Sequence, residues 1–300
     1  MIRAWIAALA MLALAGAAAA APQDRYAANA DVKIHYVADG KGPLVVLLHG
    51  FPDYSGTWKP LTAELNRAGF RTAALDLRGY NLSDKPAGVE AYAMPNLVGD
   101  VAAVVAAEGR KDAVVIGHDW GAAIAWRVAM DRPDLVRRLV ILSVPHPAGF
   151  AREMASNPEQ QKNSAYARNF QQPGFEKNLT AEGLAAWQKD PAEHAAYLAA
   201  LKRSDFGAML NYYRANYPRG ARTETTIPAG MAAQGRIKAP TLVIHGMKDT
   251  ALNAAGHSGT WDHVDADTTL VMFPQAGHFV QWDAKAEVNR TIVDWLKARP

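Results

Sequence analysis

Short apolar runs recur along the chain and alternate with longer, alanine-rich stretches. The first central run, residues 44–48, is uninterruptedly apolar, as expected of a strand buried on both faces. Five similar runs follow in chain order at residues 72–75, 113–116, 139–142, 242–244 and 270–273. Most of the stretches between them have the length of helices. Strands that alternate with helices predict an α/β fold with a mostly parallel, doubly wound sheet.

Polar and apolar positions alternate before the first central run. Residues 32–37 show this alternation, which predicts a half-exposed edge strand. The dipeptide Asp39-Gly40 separates this strand from the run at 44–48 and favours a hairpin turn. We therefore expect the sheet to open with these two strands paired.

One interval is too long for a simple crossover. Roughly a hundred residues separate the fourth and fifth central runs, whereas a parallel crossover needs about a dozen. Within this interval, Asp190, Pro191 and Glu193 have the pattern of a helix start with a cap, a first-turn proline and a capping-box acid. An inserted helical cap over the catalytic edge would exclude water and shape a pocket. The predicted domains are an α/β core at residues 21–145 and 240–300 and a helical cap at residues 146–239.

The amino terminus has the pattern of a secretory signal peptide. Met1-Ile2-Arg3 precedes an alanine- and leucine-rich run, and small residues at 18–20 offer a cleavage site. The apolar stretch is short for a membrane-spanning helix. We therefore expect a signal peptide at residues 1–20, export to the periplasm or the medium, and no stable membrane anchor after cleavage.

Composition narrows the classes of partner. The chain of 300 residues is half hydrophobic, which suffices for one large domain or a domain with an insertion. It has no cysteine, so its stability must come from its core rather than from disulfides. The net charge of +3 comes from scattered lysines and arginines, so we expect no binding to nucleic acid.

The sharpest chemical motif is Gly117-His118-Asp119-Trp120-Gly121, directly after the third central run. A strand that enters a Gly-x-nucleophile-x-Gly turn and then a helix is the nucleophile elbow of α/β-hydrolases. Here aspartate stands where many of these enzymes carry serine, and a carboxylate is already ionised near neutral pH. Such a group is suited to displacement at saturated carbon. Taken alone, the pentad is equally compatible with an ordinary turn, since aspartate between glycines is a common loop composition.

A turn after the first central run supplies candidate oxyanion donors. His49-Gly50-Phe51-Pro52 follows that run and can aim the backbone N–H of Phe51 at a developing oxyanion. The backbone N–H of Trp120 is the expected second donor. The Phe51-Pro52 bond is a candidate cis peptide, since proline makes that form accessible.

An acid and a base follow the last two central runs. Asp249 comes a few residues after the fifth run, and His278 a few residues after the sixth. The order nucleophile, acid, histidine is the one that the α/β-hydrolase fold uses. Asp249 is expected to orient the imidazole of His278 and to stabilise its charged form. Three matches in this order make an ordinary turn a poor explanation for Asp119.

Other conspicuous residues receive structural interpretations. His49 and His118 flank the site, but His278 fills the position of the base better, so we expect packing or supporting roles for both. Arg78, after the second central run, is expected to fix a loop near the pocket. The remaining histidines lack a metal-ligand spacing. We therefore expect no metal and no other cofactor.

With these motifs in hand, the chain resembles the epoxide hydrolases of the α/β-hydrolase superfamily over nearly all of its mature length. In that family two cap tyrosines hold the epoxide oxygen. One precedes a Phe-Gln-x-Pro segment by four residues, which implies Tyr166 before residues 170–173. The other lies in an Asn-aromatic-Tyr-Arg segment, which implies Tyr213 rather than its neighbour Tyr212. A phenol suits this role because it can donate a hydrogen bond and then a proton to the opening oxygen.

The resemblance implies an enzyme that hydrolyses a small-molecule epoxide with water to a vicinal diol through an ester on Asp119. Haloalkane dehalogenases are an alternative, because they resemble the chain at Asp119 and Trp120, but they often carry asparagine where Phe51 stands. Haloacetate dehalogenases place arginines after the nucleophile, whereas Arg127 lies further along the helix here. A secreted binding protein that keeps the fold without turnover is a third alternative.

The sequence leaves substrate and assembly open. A homodimer formed through an exposed cap face is one option. Pocket size depends on which aromatic side chains of the cap face inward, and the candidates are Phe150, Phe170, Phe175, Trp187 and Tyr217.

Overall fold

Eight strands form one sheet in the part of the chain that the structure describes, residues 21–217 and 235–299 of a computed structural model. In chain order the strands are β1 (Gln23–Asn29), β2 (Val32–Gly40), β3 (Leu44–Leu48), β4 (Arg71–Leu75), β5 (Ala113–His118), β6 (Val136–Leu142), β7 (Thr241–Gly246) and β8 (Thr268–Phe273). Across the sheet their order is β1-β2-β4-β3-β5-β6-β7-β8. β2 is antiparallel to β1 and β4, and the remaining neighbours are parallel. The predicted α/β class with a mostly parallel sheet is confirmed.

Helices occupy most of the segments between the strands. The α-helices are α1 (Lys59–Arg67), α2 (Met94–Ala107), α3 (Trp120–Asp131), α4 (Pro147–Ser156), α5 (Pro158–Asn163), α6 (Ala165–Phe170), α7 (Ala181–Ala185), α8 (Pro191–Arg203), α9 (Phe206–Asn216), α10 (Val280–Asp283) and α11 (Lys285–Lys297). Short 3₁₀ turns lie at Ser55–Trp58, Glu90–Tyr92, Pro133–Leu135, Phe175–Asn178, Ala254–His257 and Thr260–His263.

The predicted opening hairpin between β2 and β3 is wrong. β4 lies between these two strands and pairs antiparallel with β2, so that Tyr36 stands opposite Leu75. The hairpin instead joins β1 to β2 around Ala30, whose φ of 53° provides the left-handed turn. β2 is therefore not an edge strand. The sequence did not predict β1 because it has almost no apolar face: of its seven residues only Ala27 is buried.

The sheet is covered on both faces, which explains why the central strand β3 is apolar at every position. On β3, Val46 and Leu48 face the side that α2 and α3 cover, whereas Val45 and Leu47 face the side that α1 and α11 cover. Successive side chains of a strand point to opposite faces, so both must be apolar. The carboxyl ends of the parallel strands β3, β5, β7 and β8 then meet at one edge, where the candidate residues lie.

Helices α4 to α9 lie between β6 and β7 and form the described part of the inserted segment. The predicted helix start at residue 190 is confirmed, because the Asp190 carboxylate accepts the N–H groups of Ala192 and Glu193 at 2.9 and 3.2 Å. The predicted capping-box role of Glu193 is wrong. The side-chain oxygen of Gln188 accepts the Asp190 N–H at 3.0 Å instead.

Two of the predicted segments extend beyond the described residues. The predicted signal peptide at 1–20 lies outside them, as does the part of the predicted cap at 218–234. Among the helices that the structure describes, none combines the length and apolar character needed to cross a membrane.

Candidate active site

Asp119 occupies the sharp turn between β5 and α3, with an unusual backbone conformation (φ 50°, ψ −122°). A residue with a Cβ is strained there and keeps this conformation only where its surroundings impose it. Three glycines make the turn possible. A Cβ on Gly50 would lie 2.2 Å from Asp119 Oδ1, one on Gly121 would lie 2.1 Å from the Leu48 carbonyl oxygen, and one on Gly117 would lie 2.3 Å from the Gly121 carbonyl oxygen. Because these glycines let neighbouring segments approach closely, the Asp119 carboxylate projects from the end of the central strand β5.

The Asp119 carboxylate has a different neighbour at each oxygen. The backbone N–H of Phe51 donates to Oδ1 at 2.7 Å from the turn after β3, in which the Phe51-Pro52 bond is cis. The Nε2 of His278 lies 3.4 Å from Oδ2. Trp120 is the first residue of α3, and N–H groups in a first helical turn have no acceptor within their helix. The Phe51 N–H is thus a donor to Asp119 in the structure, and the Trp120 N–H stays the predicted second donor.

His278 joins the two carboxylates through the two nitrogens of its ring. Its Nδ1 lies 2.8 Å from Asp249 Oδ2. The other Asp249 oxygen accepts the N–H groups of Ala251 and Leu252 at 2.7 and 2.9 Å, so this carboxylate is fixed in the loop after β7. The Asp249 side chain is fully buried. One imidazole therefore faces Asp249 with Nδ1 and Asp119 with Nε2.

Burial favours the neutral forms of Asp119, Asp249 and His278, but the opposite charges of these three groups favour the ionised forms. Burial favours the neutral form of Asp119, but His278 and the Phe51 N–H hold the pKa of this carboxyl below its ordinary value. His278 likewise lowers the pKa of the buried Asp249. Burial opposes the charged imidazole too, yet the two carboxylates raise the pKa of His278 to about 10. At neutral pH the resting site therefore holds an imidazolium between two carboxylates.

Two further histidines near Asp119 are buried and hold the backbone of the neighbouring loops. Burial lowers the pKa of both His49 and His118 to about 4, so both are neutral near pH 7. His49 donates through Nδ1 to the Gly50 carbonyl at 2.8 Å. His118 accepts the Gln281 amide at Nδ1 (3.1 Å), which leaves Nε2–H to donate to the His278 carbonyl at 2.8 Å. Both imidazoles therefore bind backbone groups and do not face an open space.

Tyr166 on α6 and Tyr213 on α9 line a narrow cavity together with Asp119. Burial raises the pKa of both tyrosines well above the ordinary value, so both hydroxyls remain proton donors at neutral pH. The two ring centroids lie 6.2 Å apart. The cavity has a volume of about 50 Å³, and its other lining residues are Trp120, Ala123, Val144, Phe150, Tyr217 and Leu252. Two phenols from the cap and the carboxylate from the core thus face one mostly apolar space.

Two of the candidate pocket aromatics line this cavity, namely Phe150 and Tyr217. Phe170 packs against Phe51, with ring centroids 5.2 Å apart. Trp187 stacks on Phe279, the neighbour of His278, at 4.4 Å. These contacts place Phe170 and Trp187 against the loops that carry the oxyanion donor and the histidine.

Two neighbours of the site point elsewhere. The Tyr212 hydroxyl donates to the Arg78 carbonyl at 2.9 Å and is buried away from the cavity. Arg127 forms an ion pair with Asp131 on the same helix at 2.7 Å. Its guanidinium is therefore engaged one turn along α3, and no arginine stands in the positions directly after the nucleophile.

Sequence reasoning passed over two buried residues that contact the site. Asp53 directly follows the turn that carries the oxyanion donor, and its carboxylate accepts the Tyr54 N–H at 3.0 Å and the hydroxyl of Tyr197 from cap helix α8. Burial raises the pKa of Asp53 to about 7. Ser143, directly after β6, donates through its hydroxyl to the His278 carbonyl at 2.7 Å. Their positions in the sequence could have identified them, since Asp53 directly follows the turn after β3 and Ser143 directly follows β6.

The arrangement supplies the parts needed to form and then hydrolyse an ester. An ionised carboxylate can attack saturated carbon, phenols can protonate a leaving oxygen, and backbone N–H groups with an imidazole can assist water at the ester carbonyl. Within residues 21–217 and 235–299, no group of three or more histidine, aspartate or glutamate side chains is placed to hold a metal ion.

Comparison with known proteins places this geometry in a family. A family model described as alpha/beta hydrolase fold matches residues 43–285. The AB hydrolase superfamily protein YfhM of Bacillus subtilis is 33% identical over 89% of this chain and 95% of its own length. Epoxide hydrolase 3 of Xenopus tropicalis is also 33% identical, over 90% of this chain and 76% of its own length.

Solved structures give the same result. The epoxide hydrolase of Bacillus megaterium in complex with an inhibitor superposes with a TM-score of 0.84 at 30% identity, over 92% of this chain and all of that one. An epoxide hydrolase from metagenomes of hot environments superposes with a TM-score of 0.79 at 33% identity, over 91% of this chain and 98% of that one. The chain therefore belongs to the α/β-hydrolase superfamily, in the branch that contains the epoxide hydrolases.

Proposed function

We propose that the protein hydrolyses a small epoxide to a vicinal diol in two steps, through an ester on Asp119. One observation carries this proposal: the Asp119 carboxylate, held by the Phe51 N–H at 2.7 Å and facing His278 at 3.4 Å, opens into the cavity that Tyr166 and Tyr213 line. The activity named for its relatives supports the substrate class. The proposed substrates are an epoxide and water.

In the first step, Asp119 attacks a ring carbon of the epoxide. Oδ1 is bound to the Phe51 N–H, so Oδ2 is the oxygen that forms the new C–O bond. The epoxide C–O bond breaks, and its electron pair becomes an alkoxide. The hydroxyls of Tyr166 and Tyr213 donate hydrogen bonds to this oxygen, and one of them transfers its proton. The products are a hydroxyalkyl ester of Asp119 and a tyrosinate.

Formation of the ester removes a negative charge from the neighbourhood of His278. Asp119 is one of the two carboxylates that raise the pKa of His278 to about 10, and a neutral ester cannot do so. The pKa of His278 therefore falls once the ester forms. The imidazolium gives up its proton, which restores the tyrosine hydroxyl, and the neutral imidazole can then act as a base.

In the second step, water hydrolyses the ester. His278 removes a proton from the water as its oxygen attacks the ester carbonyl carbon of Asp119, and Asp249 stabilises the imidazolium that results. The charge develops on Oδ1, which already accepts the Phe51 N–H, and the Trp120 N–H is the proposed second donor. Collapse of the tetrahedral intermediate expels the diol, which takes its proton from His278. The carboxylic acid formed on Asp119 returns a proton to His278 and restores the resting charges.

The alternative reaction on a carbon–halogen bond would use the same ester but a different leaving group. A halide needs donors and no proton, and in that chemistry the Trp120 indole would be a donor. Here Trp120 packs edge-on against Tyr213 at 5.0 Å and its indole hydrogen-bonds that tyrosine. Tyrosine hydroxyls that can protonate the leaving group favour an oxygen, and therefore an epoxide.

A single-turnover experiment in heavy-oxygen water tests the covalent step. With enzyme in excess over a styrene-type epoxide, the new oxygen of the first diol should come from unlabelled Asp119, and later turnovers should carry the solvent label. Solvent label in the first diol would contradict the ester. A parallel panel of aliphatic epoxides and haloalkanes distinguishes the two reactions, because turnover of haloalkanes alone would favour the alternative.

A further inference from the structure

Ser143 is a buried serine with a left-handed backbone at the carboxyl end of β6. Its φ is 68°, and its side chain is completely buried. All three of its polar groups are engaged. The N–H donates to the Ile244 carbonyl at 2.8 Å, the hydroxyl donates to the His278 carbonyl at 2.7 Å, and the carbonyl oxygen lies 3.2 Å from Nδ1 of His245.

This backbone conformation is unfavourable for serine and free of strain for glycine. The Cβ of an L-residue crowds its own backbone at positive φ, whereas glycine adopts this region readily. A left-handed residue other than glycine persists where the surroundings over-determine it, and such residues cluster at functional sites. Glycine at position 143 would keep the turn after β6 but would lose the hydroxyl. The hydroxyl is therefore what serine adds at this position.

The hydroxyl of Ser143 is one of two donors that converge on the backbone of His278. The second is the Nε2–H of His118, 2.8 Å from the same carbonyl oxygen, in a tautomer fixed by the Gln281 amide. One donor stands at the end of β6 and the other at the end of β5. Between them they fix the residue whose ring must reach Asp249 on one side and Asp119 on the other.

We propose that Ser143 is a positioning residue for His278 and acts in ester hydrolysis rather than in ester formation. This inference rests on the proposed function, in which Asp119 and the two tyrosines form the ester and His278 acts only after the ester has formed. With one of two donors lost, the His278 backbone gains freedom, and the imidazole no longer stays aligned with the ester carbonyl. Misplacement of a catalytic group by about 1 Å can slow a step by up to a hundredfold.

Glycine and alanine at position 143 separate this role from a purely structural one. Ser143→Gly removes both the hydroxyl and the backbone strain, whereas Ser143→Ala removes the hydroxyl and keeps the strain. Ser83→Ala is the matched control, because the Ser83 hydroxyl is also buried and donates to a backbone carbonyl, that of Asp76, at 2.6 Å. It lies outside the catalytic arrangement.

Rapid-quench mass spectrometry with a styrene-type epoxide measures the two steps separately. In Ser143→Gly we expect ester formation within about twofold of wild type, ester hydrolysis slowed about tenfold, and a larger fraction of enzyme trapped as ester. Its melting temperature should stay within about 3 °C of wild type, since loss of the hydrogen bond is offset by relief of strain. Ser143→Ala should show the same kinetic change with a lower melting temperature. Ser83→Ala should lower the melting temperature without changing the division between the steps.

Wild-type hydrolysis in a folded Ser143→Gly enzyme would overturn the inference, as would equal slowing of both steps. His278→Gln shows whether the proposed function itself is at fault. If that variant accumulates ester while Ser143→Gly behaves as wild type, only the inference about Ser143 fails. If both His278→Gln and wild type form diol but neither forms the ester, the covalent scheme fails.

Discussion

Within the described residues, a histidine lies between two aspartates in two places: in the candidate active site, and at β2, where His35 lies next to the edge strand β1. At that edge, Nδ1 of His35 lies 2.7 Å from Asp76 and Nε2 lies 3.0 Å from Asp24. The corresponding distances for His278 are 2.8 and 3.4 Å. Although burial opposes the charged ring, the neighbouring carboxylates raise the pKa of His35, as they do for His278. The two arrangements are thus nearly alike in contacts, and the pKa of the histidine is raised in both.

They differ in what surrounds the carboxylate that faces Nε2. The Asp24 side chain is 71% exposed and lies on β1, opposite Val37 in a regular antiparallel pair. The Asp119 side chain is 12% exposed, stands on a strained elbow, and is bound by the Phe51 N–H. A cavity beside His35 is larger than the one beside Asp119, at about 380 against 50 Å³. Neither a triad of side chains nor an adjacent cavity therefore suffices for the proposed chemistry.

The buried carboxylate at the sheet edge has a structural task. Asp76 Oδ1 accepts the Ser55 N–H at 2.9 Å, and Oδ2 accepts the Asn81 amide at 2.7 Å as well as His35. It joins β2 to the loops after β3 and β4. At the candidate active site the imidazole makes the same kind of contact with Asp119, but there the carboxylate also stands on the elbow, accepts the Phe51 N–H and lines a cavity with the two cap tyrosines.

The largest expected contrast in turnover comes from removing, in each arrangement, the carboxylate that faces Nε2 of the histidine. Asp119→Ala should lower epoxide turnover at least about 10⁴-fold, because alanine cannot form the ester. Alanine is preferred to asparagine because water beside His278 could hydrolyse an amide back to aspartate. Asp24→Ala should keep turnover within about twofold of wild type and cost less than about 1 kcal/mol of unfolding free energy, since the Asp24 side chain is 71% exposed. Steady-state assays on enzyme freed of host hydrolases, with urea unfolding, measure both. Comparable losses of turnover in the two variants would contradict the assignment of the reaction to Asp119.

The second prediction compares the two histidines. His278→Gln should still form the ester but hydrolyse it about 10³-fold more slowly, because general-base assistance is lost. The ester should be visible by intact-protein mass spectrometry as an added substrate mass. His35→Gln should leave both steps within about threefold of wild type and lower only stability. Failure of His278→Gln to form ester with any epoxide would place His278 in the first step instead.

The third prediction concerns the phenols, which the arrangement at the sheet edge lacks. Tyr213→Phe should slow ester formation roughly 10²-fold, since one of two donors to the opening oxygen is lost. Hydrolysis of the ester, once formed, should change little. Tyr212→Phe is the matched control, because its hydroxyl is bound to the Arg78 carbonyl and lies outside the cavity. Rapid-quench measurement of both steps decides the matter, and a larger effect in Tyr212→Phe would contradict the choice of Tyr213.

The motifs in the α/β core were predictable because each follows an apolar run that marks a strand. The runs at 113–116, 242–244 and 270–273 identify β5, β7 and β8, and the residues after them meet at one edge of a parallel sheet. The short distance of Asp119 and His278 from the preceding apolar runs therefore sufficed to predict that they lie in the same site. The contacts of these residues with one another also depend on the order of the strands across the sheet, which the apolar pattern does not determine.

The arrangement around His35 was not predictable by the same reasoning. Asp24 lies in a polar strand with one buried side chain, and β2 pairs with β4, some thirty residues later, rather than with its neighbour β3. Non-local pairing of this kind leaves no periodic signal in the sequence. Ser143 was missed for a different reason, since a serine after a strand gives no indication of a positive φ.

The smallest effect expected is the dependence of stability on pH at the sheet edge. The folded-state pKa of His35 is raised, so the stabilisation by its charge is fully present below the ordinary value of 6.5 and is lost as pH rises through the folded-state pKa. His35→Gln should therefore cost about 2 kcal/mol of unfolding free energy near pH 6, as expected for lost hydrogen bonds to a charged group, and less near pH 9. Urea unfolding of both proteins at the two pH values measures the difference, in which the contribution of His278 cancels. An equal cost at both pH values would mean that the folded-state pKa of His35 is not raised, and that the two aspartates beside it do not stabilise its charged form.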